Sequence, residues 1–141
     1  MKILIGILLI VHGLIVSSQS SISFNPVGGT QNPLWLNLWP SNLGQSWLLS
    51  SLGIERSLLA RAGGFLWLAA GIALVAAGLG VLGIIVPQAW WRSFALAGGV
   101  ISLVMLAIYL HPLYGIGIGA SLVVLVALFW QSWPLLAQLG L

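Results

Sequence analysis

The chain has 141 residues, of which 60% are hydrophobic and 4% charged, against roughly 25% charged residues in a soluble domain. That composition places the protein in a bilayer. Lys2, Arg56, Arg61 and Arg92 face a single acid, Glu55, so the formal charge of +3 reflects scarce acids rather than a basic patch, and nucleic acid is not an expected partner. The absence of cysteine excludes disulfides, iron–sulfur clusters and thiolate metal sites.

The first apolar run, Ile3 to Val16, covers about 21 Å as a helix, short of the ~30 Å hydrocarbon core, so its flanks must help it span. A basic start, a short apolar stretch and the small residues Ser17, Ser18 and Ser20 also suit a secretory signal. We read the run as a retained span over residues 2–18. Residues 19–57 form the one substantial non-spanning region. Its first half carries the turn pairs Asn25-Pro26, Gly28-Gly29 and Asn32-Pro33. In its second half Trp35, Trp39 and Trp47 alternate with Leu and Asn, as expected of a segment in the headgroup layer. Gln45 to Leu52 is expected to form a short interfacial helix, and Pro33 to Leu52 to fold down onto the bundle.

The second run, Ala62 to Val86, has no charge and closes at Pro87; a span over 58–86 follows. A third, over 93–111, ends at His111-Pro112, and a fourth, over 113–131, ends before Pro134. The short connections predict antiparallel neighbours. The expected fold is therefore all-α: a single domain, residues 1–141, of four transmembrane helices in an up-and-down bundle. A Trp-rich interfacial loop joins helices 1 and 2, and both termini lie on one side, taken as cytoplasmic. Trp90, Trp91, Trp130 and Trp133 then form one aromatic belt, and Trp35, Trp39, Trp47, Tyr109 and Tyr114 the other. Trp67 lies a turn or two inside its span and fits neither.

Gly64, Gly71 and Gly78 recur every seven residues and return to nearly one helix face. Gly6, Gly13, Ser17 and Ser20 make a comparable stripe on the first span, and Gly115 with Gly119 is a GxxxG pair on the fourth. Such rows let membrane helices approach closely.

Few residues can carry chemistry. His12 sits near mid-membrane, off the glycine stripe, where it can serve as a single axial ligand for haem or a pigment, or bond a carbonyl, Ser102 or Ser121. His111 differs from it in depth by about 10 Å, which opposes one iron held by both. Arg61 lies within about 60° of the glycine face and can either enter a pocket beneath the loop, meeting Glu55, or snorkel to the interface. One carboxylate rules out paired acid–base catalysis and carboxylate metal cages, and without aspartate there is no Ser-His-Asp triad. No nucleotide fingerprint or embedded acid for proton coupling is present. The chain is therefore not expected to be an enzyme or to hold a metal.

The stretches LLIVHGLI, LARAGGFLWLAAGIALVAAGLGVLG, QAWWRS and GIGIGASLVVLVAL together resemble a group of small four-helix bacterial membrane proteins of DoxX-like layout. The resemblance covers nearly the whole chain and implies a bacterial cytoplasmic membrane and a possible link to a quinone-dependent oxidoreductase complex. Relatives often carry a second histidine shortly after HGL, where this chain reads IVSSQS. The expected function is a non-catalytic accessory subunit of a larger membrane complex (respiratory, photosynthetic or transport), with lipid and other membrane subunits as partners. The alternatives are a stand-alone binder or carrier of a lipid or quinone, with Trp35, Trp39, Trp47, Arg61 and His111 as ligand or partner surface, and a haem or pigment protein using His12.

Overall fold

The computed structural model describes residues 2–24, 45–53 and 58–129, and every regular element among them is helical. Helix α1 runs from Lys2 to Phe24, α2 from Trp47 to Ser51, α3 from Leu58 to Leu82, α4 from Trp91 to Ile108 and α5 from Gly115 to Phe129. Three segments, Lys2–Ser21, Arg61–Leu82 and Gln88–Ile108, are long and apolar enough to cross a membrane, and Pro112–Leu128 is a shorter apolar helix.

Helix α1 is longer than expected. Residues 19–24, read as the start of the loop, continue the helix to about 35 Å. Serine normally competes with helical hydrogen bonding, but here Ser18 Oγ donates to the Ile15 carbonyl (2.7 Å) and Ser21 Oγ to that of Ser18 (2.8 Å). The hydroxyls are satisfied within their own helix. Ser20 and Ser23 are buried, so the serine-rich stretch acts as a small-residue extension of the packing face.

Helix α3 is shorter than its apolar run. Gly83, at φ 72°, ends it: the Ile84 N–H bonds the Leu79 carbonyl and the Gly83 N–H that of Gly80, the paired bonds of a Schellman cap, which needs a left-handed residue at this place. Ile85 also has positive φ, 65°, with the Val86 N–H on the Ile84 carbonyl, a strained turn for a β-branched residue. The chain then re-enters helix through Pro87 and a 3-10 turn.

The helices alternate in direction. Gly6 lies opposite Gly78 and Leu82, Gly13 opposite Gly71 and Val75, and Phe24 opposite Gly64, so α1 and α3 are antiparallel over their full length. A Cβ at Gly13 would sit 2.7 Å from the Gly71 carbonyl oxygen, and one at Gly71 would fall on Ser17 Oγ. The two backbones touch. Helix α4 packs on α3 in the same sense, with Gly98 against Ala70 and Leu74, and α5 packs on α4 with Leu125 against Gly99. The core is centred on α3 and α4, with Trp67, Ala70, Leu74, Ala77, Val81, Ala95 and Met105 buried. Two belt residues turn inward: Trp91 and Tyr109 are buried in this core, while Trp90 faces out. Among the described residues Gly115 and Gly119 meet nothing within 4 Å of a built Cβ, so the GxxxG pair takes no part in packing between the described helices.

Candidate functional site

Polar side chains inside the bundle gather at two levels. At the first, Ser102 of α4 and Ser121 of α5 are wholly buried. Their hydroxyls are 3.1 Å apart, and Ser121 Oγ is 3.1 Å from His12 Nε2 on α1. Three helices thus share one hydrogen-bonded chain where hydrocarbon offers no other partner. The sequence left His12 either as an axial ligand or as a partner of a carbonyl, Ser102 or Ser121; the structure places it on Ser121. Nε2, the nitrogen at the outer edge of the ring, is committed to that bond, which leaves Nδ1, beside the main chain, for any ligand.

The second level is the end of the bundle where α1 finishes and α3 begins. His111 is buried and extended at φ −147°, ψ 142°, as the residue before Pro112 must be. Its Nδ1 accepts the Leu113 N–H (3.2 Å), capping the 3-10 turn that opens α5 and fixing the proton on Nε2. Burial holds this imidazole below its ordinary pKa, so it is neutral at pH 7. Tyr114 donates to Gln19 Oε1 on α1 (3.0 Å), and its ring lies near those of His111 and Trp67. Trp67 meets Tyr109 edge-on, ring centres 6.0 Å apart. The tryptophan that fitted neither belt is a core residue.

Helix α2 closes this end. Ser46 caps it, accepting the Leu49 N–H (3.0 Å), and donates to the Ile108 carbonyl (2.8 Å). Trp47 Nε1 donates to the Ala107 carbonyl (2.8 Å). Both acceptors belong to the last turn of α4, whose carbonyls have no partner within the helix. Two adjacent residues of one segment therefore finish another helix, and Leu49 packs against the core. No motif announces this; the only trace in the sequence is Gln-Ser-Trp beside an apolar pair.

Of the residues expected to form a ligand or partner surface, Trp47, Arg61 and His111 are among the described residues. Arg61 is exposed. Trp47 is largely exposed apart from its indole N–H contact. His111 acts as a cap, and Trp35, Trp39 and Glu55 lie outside the described residues. Arg92 lies over the Trp91 ring at 5.6 Å, an interfacial anchor. Among the described residues no three His, Cys, Asp or Glu side chains gather as a metal site.

No family model matches the chain, and no curated protein or solved structure is detectably similar to it.

Proposed function

We propose that this protein is a non-catalytic helical subunit that spans the membrane four times and docks onto another membrane protein through α5, in line with the DoxX-like layout of its spans. The observation that carries this reading is the contrast between its glycines. Gly6, Gly13, Gly71, Gly78 and Gly98 are each covered by a neighbouring helix, whereas Gly115 and Gly119 meet nothing among the described residues. Together with Leu122, Val123 and Val126, all exposed, they form one face at helical spacing. Lipid chains gain little from a flat glycine face, while a second helix gains close backbone contact.

The natural lack of cysteine makes the test clean. Single cysteines placed at Gly119 and, as control, at the exposed Val104 of α4 can be treated in native membranes with a short bifunctional maleimide. The reading expects a discrete protein adduct from position 119 and none from 104. Equal labelling without an adduct at either position would refute it. A rival haem or pigment role for His12 predicts a visible absorbance band in the purified protein that disappears in His12→Ala.

A further inference from the structure

Trp67 and Tyr109 are buried core side chains that carry a polar hydrogen, at 1% and 4% exposure. Among the described residues, neither the Trp67 indole N–H nor the Tyr109 hydroxyl makes a hydrogen bond. The contrast with Trp47 is direct: the exposed indole is bonded to a carbonyl, and the buried one is not. Gly63 is part of the arrangement, because a Cβ there would come within 2.9 Å of the Tyr109 hydroxyl. A buried donor without an acceptor is costly and seldom retained.

We infer that the Trp67 indole N–H and the Tyr109 hydroxyl, beneath α2, form a binding site for the carbonyl oxygen of a neutral, membrane-soluble molecule. An indole N–H can only donate, so the partner must accept. The neighbouring rings are aromatic and uncharged, His111 is neutral, and Arg61 faces outward; nothing there recognises an anion. Trp67 lies six residues, about 9 Å, below Arg61 along α3, a depth at which a carbonyl head can sit while its apolar tail follows the bundle into the bilayer. Above this end, Ser46 and Trp47 bond the last carbonyls of α4 and Leu49 packs on the core. Acyl esters and quinones share the required chemistry. The site is independent of α5, so its failure would leave the subunit reading intact.

The purified full-length chain in an alkyl maltoside micelle, which has no carbonyl, permits the test. The indole N–H resonance of Trp67, identified by its loss in Trp67→Phe, is followed while dioctanoylglycerol, a decyl-substituted benzoquinone or dodecane is added. A saturable downfield shift with one carbonyl probe, none with dodecane, and about fivefold weaker binding in Tyr109→Phe are expected. The probe that moves the resonance identifies the source as ester or quinone. If neither probe shifts it and the N–H shows a strong cross-peak to water, the donors are hydrated and the inference fails. It fails equally if Tyr109→Phe, with helicity retained, binds as tightly as the natural chain.

Discussion

The seam between α1 and α3 and the seams that hold α5 are built on opposite principles. Along the first, glycine and serine bring two backbones into contact from Gly6 against Gly78 to Phe24 against Gly64, and no side-chain hydrogen bond crosses it among the described residues. Helix α5 and the 3-10 turn that opens it reach α1 through two polar bonds, His12 to Ser121 and Gln19 to Tyr114. Its Gly115 and Gly119 meet nothing among the described residues, while Gly117 packs on Leu106. In lipid, apolar side chains gain nothing hydrophobic by meeting, so dense packing and hydrogen bonding are the available adhesives. This chain spends packing on the inner pair and hydrogen bonds on the outer helix.

The largest effect should come from filling the packed seam. Gly71→Leu pushes a side chain into Ser17 and the Gly13 backbone; it should cost about 3 kcal/mol or more, beyond ordinary overpacking because backbone cannot yield. Unfolding in mixed micelles of increasing sodium dodecyl sulfate content measures it, and a cost below about 1 kcal/mol would mean that the seam is loose.

An intermediate effect is expected at the polar seam. Ser121→Ala strips partners from both Ser102 and His12 and should cost about 1–2 kcal/mol. A double-mutant cycle of Ser121→Ala with His12→Ala should return a coupling near 0.6 kcal/mol and no more than about 1.7. Additive costs would remove the bond from the account. Tyr114→Phe, which loses the bond to Gln19, should cost about 0.5–1 kcal/mol.

Much of this contrast is legible in the sequence. The seven-residue glycine period of the second run and the Gly6, Gly13, Ser17 stripe of the first are surface patterns that match one another, and they pack together. The short helix expected over Gln45 to Leu52 forms at Trp47–Ser51, because Ser46 supplies its cap. Gln19 to Phe24 reads as loop because serine signals a turn in water, and only a neighbouring glycine row turns it into a small packing residue. Gly83 could not be told from the interior glycines, since what ends α3 there is a backbone conformation. Trp91 and Tyr109 sit at helix ends, where belt and core positions share one composition; their inward turn depends on Gly80 and Gly63 across the interface.

The smallest effect concerns pH at the end of the bundle. His111 is pushed below the ordinary value of 6.5 by burial, so the unfolded chain binds its proton more readily than the folded one. Its contribution to stability is full above pH 6.5 and is lost as pH falls through the depressed folded value. His111→Asn keeps an acceptor for the Leu113 N–H and should abolish that part of the slope. Titration of the His111 ring by NMR checks the sign: a midpoint at or above 6.5 would reverse it.

The claim that α5 presents its glycines to another protein is tested most directly by Gly119→Leu, set beside Gly71→Leu. Among the described residues a Cβ at Gly119 meets nothing, so the variant should unfold within about 0.5 kcal/mol of the natural protein. In membranes solubilised with mild detergent, native electrophoresis should show the natural chain in a larger assembly and Gly119→Leu released from it at its own mass. The account is contradicted if Gly119→Leu stays in the same assembly as the natural chain, or if it unfolds as Gly71→Leu does.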